Sequence, residues 1–256
     1  MKSFRLCFSV ALLAFGCAHE VTSPKKEPKL LSEEFYSYDP ANSSSPDGFV
    51  PSYKLAYKYD QGKLIEVDAQ DYNPSSHAYE SSYLLEEYSY NNDGKLSEQI
   101  KFVGASLRWI YEYDYSSTQT KVTRLESING SFKVTDWWTI EQTPSSVAIK
   151  YYQGNNELYA EVEGELDAQG NVIRLSETPS LPVGKIYYTY DSAPNPYKFP
   201  ELSGDYLNTE KYQSANNVIE VTNDLNSKSA LSITYNTNGY PVTIVTTTSK
   251  RILTYQ

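Results

Sequence analysis

The sequence predicts an all-β protein, a single antiparallel meander curled into an open or nearly closed barrel. Polar and apolar residues alternate strictly in several runs, which is the period of a strand with one wet face. A motif of the form Tyr-x-Tyr-[Asp/Asn], leading into a turn and a short strand-like stretch, recurs at Tyr57-Lys58-Tyr59-Asp60, Tyr88-Ser89-Tyr90-Asn91, Tyr111-Glu112-Tyr113-Asp114 and Tyr188-Thr189-Tyr190-Asp191, with a looser copy at Thr234-Tyr235-Asn236. Short turn sequences separate the runs, which makes successive strands antiparallel neighbours. About fifteen strands follow from the turn-bounded runs, and no segment has a helical period. A two-sheet sandwich is the alternative.

Lys2 and Arg5 precede an apolar run from Leu6 to Phe15. It is too short to span a bilayer as a stable helix and fits the middle of a cleaved signal peptide, so residues 1–16 are expected to be removed on export. The run closes on Leu13-Ala14-Phe15-Gly16-Cys17, which resembles the lipobox of bacterial lipoproteins, with Ala14 where the pattern carries a branched aliphatic. That resemblance makes Cys17 the acylated first residue. An ordinary signal peptide cut nearby would instead leave a soluble protein with a spare thiol, for which an oxidising compartment has no obvious use.

Residues 17–30 read as a lipid-anchored tether, polar, charged and proline-bearing from Ala18 to Lys29. Attachment to the membrane rests on the lipid, and triacylation of one cysteine supplies the several chains that stable anchoring needs. Ala18-His19-Glu20 offers one acid after the cysteine, which leaves surface and periplasmic faces both open. The expected location is the bacterial cell envelope, as an outer-membrane lipoprotein.

Residues 31–256 form one domain of a size that all-β barrels and sandwiches occupy. Loss of the signal leaves 20 basic against 32 acidic residues, a net of −12, a field that repels nucleic acid and anionic headgroups. Apolar residues make up 39% of the chain and 25 residues are tyrosine, so a half-buried tyrosine face is expected in place of a thick, dry core.

The first strand pattern is Tyr53 to Tyr59, where Tyr53, Leu55, Tyr57 and Tyr59 share one face against Lys54, Ala56 and Lys58. The next puts Trp109, Tyr111, Tyr113 and Tyr115 on one side, about 7 Å apart, with Glu112 and Asp114 on the other. Asn129-Gly130 and Asn238-Gly239 favour two-residue hairpin turns, since both central positions tolerate positive φ. Gln61-Gly62, Asp93-Gly94, Gly154-Asn155 and Gln169-Gly170 read as slightly longer loops. Tyr59 to Tyr90 is 31 positions and Tyr90 to Tyr113 is 23, too uneven for a rigid solenoid.

The units Tyr57-Lys58-Tyr59-Asp60-Gln61-Gly62-Lys63-Leu64 and Tyr88-Ser89-Tyr90-Asn91-Asn92-Asp93-Gly94-Lys95-Leu96 resemble the YD repeats of Rhs-type secreted proteins. Residues 50 to 256 resemble Bacteroidota lipoproteins of unknown function with a porin-like β fold. The elements that carry this are Tyr190-Asp191-Ser192-Ala193-Pro194-Asn195-Pro196-Tyr197, then Asn216-Asn217-Val218-Ile219-Glu220-Val221-Thr222, then Tyr235-Asn236-Thr237-Asn238-Gly239-Tyr240-Pro241. The resemblance implies a barrel and an envelope location, and brings no catalytic residues. The stretch from Trp137 to Glu177 lacks the Tyr-Asp signature, through drift or as a specialised face.

Enzyme chemistry finds little material. His19 sits in the tether and His77 in a loop without a nucleophile elbow around it, and Cys17 is the one cysteine of the mature chain, so neither a Ser-His-Asp triad nor a Cys/His zinc site is expected. Glu161, Glu163 and Glu165 share one strand face and could supply a glycosidase pair, but a like-charged row more often faces solvent. The turns at Asn91-Asn92-Asp93-Gly94 and Asp167-Ala168-Gln169-Gly170-Asn171 lack the closing glutamate of a calcium loop. No cofactor or metal is expected.

Aromatics are the remaining candidates. Trp137 and Trp138 are adjacent and so point to opposite faces of a strand, and with Trp109 they could form a stacking platform for sugar rings. Their bland reading is a place in the core. Asp191-Ser192-Ala193 resembles the O-glycosylation signal of Bacteroidota exported proteins and would put a glycan on Ser192. Asn42-Ser43-Ser44 and Asn129-Gly130-Ser131 fit the eukaryotic N-glycan sequon, which a bacterial lipoprotein has no use for. The expected function is a non-enzymatic binding module, with carbohydrate as first ligand. The alternatives are a structural or adhesive partner of another envelope protein, a glutamate-based glycoside hydrolase, and a lipid carrier.

Overall fold

The structure, a computed structural model, describes residues 28–41, 45–103, 107–128, 131–179, 184–197 and 214–256. Those residues form eighteen strands and no helix. In order they are β1 (Leu30–Tyr38), β2 (Phe49–Asp60), β3 (Lys63–Asn73), β4 (Ala78–Tyr79), β5 (Tyr83–Tyr90), β6 (Leu96–Val103), β7 (Leu107–Tyr115), β8 (Thr120–Ile128) and β9 (Ser131–Gln142). There follow β10 (Ser146–Gln153), β11 (Leu158–Leu166), β12 (Val172–Thr178), β13 (Ile186–Pro194), β14 (Asn216–Asn223), β15 (Lys228–Ala230), β16 (Ser232–Tyr235), β17 (Pro241–Val245) and β18 (Ser249–Tyr255).

Every pairing is antiparallel and follows chain order, with β4 a two-residue spur on β3. β15 and β16 are one stretch of chain that changes partner at Leu231, the first half pairing with β14 and the second with β17. β1 pairs with both β2 and β18 and so joins the two ends of the meander. The result is the expected single, nearly closed barrel. β4 and the division of 228–235 account for part of the surplus over fifteen strands, and segments that short leave no period in a sequence.

Cross-strand register fixes which face looks inward. Val122, Trp138, Tyr151 and Ala160 are direct partners along β8 to β11, and all are buried. Around them Tyr111, Ile140, Val147, Ile149, Val162, Leu166, Val172 and Leu175 complete one cluster, with Val122 and Ile149 at 0% exposure. This corrects the expectation of a thin, wet core. The stretch without the Tyr-Asp signature supplies aliphatic residues at alternate positions, and these fill its part of the barrel to dryness. Gly164 belongs to the same inward row: a Cβ there would come within 2.6 Å of Val147 and 3.1 Å of Leu175, so only glycine lets β10 and β12 pack across it.

The recurrent motif has a physical task. In three copies the second tyrosine reaches sideways to a backbone carbonyl at the start of a neighbouring strand, and Tyr255 of β18 does the same, whereas Tyr113 donates to Gln99 Oε1 at 3.2 Å. Tyr59 donates to the Leu30 carbonyl at 3.1 Å, Tyr90 to Leu64 at 2.8 Å, Tyr190 to Val172 at 2.7 Å and Tyr255 to Pro241 at 2.7 Å. The lysine preceding the latched residue lies over the ring: Lys29 over Tyr59 and Lys63 over Tyr90 at 4.9 Å, and Lys95 over Tyr115 at 4.7 Å. At Tyr59 and Tyr90 the hydrogen bond and the cation–π contact act together. An Asp or Asn caps the turn, after a tyrosine at Asn91 and Asn236 and after Leu166 at Asp167. Asn91 Oδ1 accepts from the backbone amides of Asp93 and Lys95, Asp167 Oδ1 from Gln169 and Asn171, and Asn236 Oδ1 from Asn238 and Tyr240.

That cap overturns one turn expectation. Asn238-Gly239 is part of a longer loop in which Asn236 N–H bonds the Tyr240 carbonyl and Gly239 adopts φ of 83°, because the Asn236 side chain captures two amides across it. The two-residue turn lies instead at Gln61-Gly62, with φ of 45° and 93° between paired Asp60 and Lys63. Asn129-Gly130 lies outside the described residues.

Tyr90→Phe keeps the ring under Lys63 and removes the hydroxyl. It should cost about 1–2 kcal/mol by leaving the Leu64 carbonyl without its donor. Urea unfolding should show a lower midpoint at unchanged slope; an unchanged midpoint would mean the latch does not stabilise the barrel.

Candidate functional site

The inside of the barrel is not filled all the way round. Between β1–β2 on one side and β14 to β18 on the other lies a cavity of about 470 Å³, bordered by Phe35, Tyr53, Leu55, Asn195, Tyr197, Asn216, Asn217, Val218, Val221, Leu231, Ile233, Ile244 and Arg251. Register places its aliphatic walls inward: Ile233 pairs with Ile244, Ile244 with Arg251, and Val221 with Tyr188 of the core side. Phe35 and Tyr53 stack with centroids 4.1 Å apart. Burial, with the nearby charge of Glu33, pushes the Tyr53 hydroxyl up to about 12, so it is a neutral donor at physiological pH.

At the floor sits a buried polar cluster. Glu33 is fully buried and accepts from Tyr57 at 3.0 Å, Tyr197 at 2.5 Å and Arg251 at 3.4 Å. Burial, then the carboxylate, raises the Tyr197 hydroxyl well above its ordinary value and keeps it protonated. These contacts join β1, β2, β18 and the turn after β13. Sequence reasoning missed Glu33, because Glu33-Glu34 reads as a polar pair and only register separates them. Glu34 faces out to Lys54 at 3.1 Å, while Glu33 points in beside Leu55 and Leu253.

The three elements near the C-terminus that carry the lipoprotein resemblance meet here. Asp191 accepts from the Asn217 backbone and side-chain amides and from the Tyr235 hydroxyl. The Asn195 side-chain amide donates to the Ser214 carbonyl at 2.9 Å, and its oxygen caps Tyr197 N–H. Together they hold Tyr197 against Glu33.

The tryptophans do not come together. Trp138 is in the core at 7% exposure, edge-on to Tyr111. Trp109 packs against the same cluster under the Arg124 guanidinium, itself paired with Asp136 at 2.6 Å. Trp137 faces outward. Tyr152 of β10 stacks on it at 3.9 Å, Lys121 of β8 lies over the ring at 4.6 Å, and its indole N–H bonds Asn156. Trp137 thus has a ring neighbour on β10 and a cation on β8.

Ser192 is exposed on β13, next to the tied-down Asp191. Glu161 and Glu165 face outward and pair with Lys150 and Arg174, and Glu163 shares their row. His77 contacts Tyr72 at 3.5 Å beside a second depression of about 850 Å³ at the β1–β2 loop. Among the described residues no group of three or more metal-ligating side chains gathers. Cys17 and His19 lie outside the described residues.

No family model matches the chain, and no curated protein does. Solved structures do. A porin-like protein from Bacteroides uniformis is 10% identical and superposes with a TM-score of 0.57 over 89% of this chain and 98% of its own. A porin-like protein from Bacteroides vulgatus, also 10% identical, covers 90% and 99% with a TM-score of 0.39. A Bacteroides fragilis protein of unknown function, 11% identical, covers 55% and 83% with a TM-score of 0.27. The likeness is one of fold.

Glu33→Gln keeps the shape of the floor and strips the charge that balances Arg251. It should cost about 1.5–3 kcal/mol, the worth of a hydrogen bond to a charged group, since the Arg251 side chain is 21% exposed, and Glu33→Leu with Arg251→Met should recover most of that. Denaturant unfolding of the three proteins checks this; additive losses in the double variant would show that the two residues are not a pair.

Proposed function

We propose that the protein is an exported, lipid-anchored envelope protein whose barrel stands in water and acts, without chemistry, as a binding module. The observation that carries this is the outward face. Lys58 bonds Glu66 and Asp68 at 2.8 Å, Lys54 pairs with Glu34, Lys150 with Glu161, Arg174 with Glu165 and Lys228 with Glu220. Each of these sits on the side of its strand opposite the buried partners. A barrel that spans a bilayer presents an apolar band about 25 Å tall, and a Lys or Arg at its midplane costs about 2–4 kcal/mol. The porin-like name of the neighbours therefore fits the shape of this chain, while its surface favours a tether. Acylation of Cys17 supplies that tether, and the cavity gives the ligand a place inside the barrel that the Trp137 surface does not offer.

A protease site inserted between Lys26 and Lys29 tests the reading on washed membranes. Cleavage should release the barrel into buffer without detergent, and a palmitate label should remain with the membrane fragment and be missing from Cys17→Ala. A barrel that stays in the membrane after cleavage would contradict the proposal.

A further inference from the structure

Resting on the reading of a water-standing binding barrel, we infer that the cavity beside Arg251 takes a neutral amphiphile, an ester or alcohol with an aliphatic body. Volume and lining come first. About 470 Å³ lies within the range of sites for small ligands, and such sites pair a mostly apolar wall with a few fixed polar groups. Here Leu55, Val218, Val221, Leu231, Ile233 and Ile244 form the apolar wall and Arg251 is the charged group, while Asn195, Asn216 and Asn217 line the rest with amides already bonded to Ser214, Ala193 and Asp191.

The guanidinium defines the head group. It carries five N–H donors, and Glu33, already accepting from Tyr57 and Tyr197, is its hydrogen-bond acceptor at 3.4 Å. Tyr197 engages the guanidinium as well, and the remaining donors, on a side chain that is 21% exposed, border the cavity. An oxygen of the ligand completes them. The charge of Arg251 is already balanced by Glu33, so a carboxylate or phosphate would leave a net negative charge in a poorly solvated place. A carbonyl or hydroxyl oxygen accepts the same hydrogen bonds without that cost. A sugar fits less well, because its hydroxyls would face six aliphatic side chains and three asparagines whose amides are already bonded to the surrounding chain.

The test uses a diazirine-bearing, medium-chain monoacylglycerol added to membranes that carry the full-length protein, followed by irradiation and peptide mapping. Adducts are expected on the peptides holding Val218, Leu231 or Ile244. Val218→Trp, which fills the cavity, should lower them roughly tenfold, while Thr222→Trp on the outward face should not. Excess unlabelled monoacylglycerol should compete, and the corresponding free fatty acid and a disaccharide should not. Labelling confined to outward residues, or undiminished in Val218→Trp, overturns the inference; equal competition by the fatty acid or the disaccharide overturns the ligand class. Release of the Val218→Trp barrel by tether cleavage shows that it folds. A barrel that cannot be released refutes the reading beneath, whereas a released barrel without interior adducts refutes this inference alone.

Discussion

The tyrosine hydroxyl that bonds a carbonyl on the neighbouring strand is the contact on which the rest of this barrel depends. A hairpin alone is marginal in water, and a long meander of hairpins can slip wherever two of them meet. The latch acts at those junctions. Tyr59, Tyr90, Tyr190 and Tyr255 each fix the start of the adjacent strand, so the end of one turn is positioned by the strand beside it. Where a lysine covers the ring, the same residue is held from above. At Tyr90 the Asn91 that follows shapes the turn beneath, so latch and turn form one unit there.

Latches at Tyr59, Tyr90, Tyr190 and Tyr255 leave the interior free to differ from place to place. Along β8 to β12 alternate aliphatic and aromatic residues close it to a dry core. Opposite, the buried Glu33 and Tyr197 and the half-buried Arg251 take the place of aliphatic filler, and a cavity opens beside them. The ionic floor joins β1 to β2 and β18 by side chains where backbone pairing already joins them. A buried ion pair is an expensive way to fill space, since apolar residues of similar volume do as well or better for stability. Its presence beside an open volume is what makes this wall the candidate for binding.

Much of the architecture was legible. Alternation from Tyr53 to Tyr59 and from Trp109 to Tyr115 gave strand faces that register bears out, and the Tyr-Asp units marked the turns. The function of those tyrosines was not legible, because a latch joins residues such as Tyr90 and Leu64 that lie 26 positions apart. The same holds for the site. Glu33 and Arg251 are 218 positions apart and look like ordinary surface charges until β1 and β18 are laid side by side. Trp137 and Trp138, conspicuous in the sequence, point to opposite faces as their adjacency required, and that parity separated them. Asn238-Gly239 misled because the deciding residue was Asn236, whose side chain sets the loop length.

All of this assumes a ring that closes through β1, with neighbours on both sides. Residue-by-residue hydrogen exchange on the full-length protein measures it most directly. In a closed ring the amides from Leu30 to Tyr38 alternate between β2 and β18 as acceptors, and both sets should exchange as slowly as those of β8 and β9. Free exchange of the set that faces β18 would show an open sheet with an edge, and would contradict both the closure and the cavity built across it.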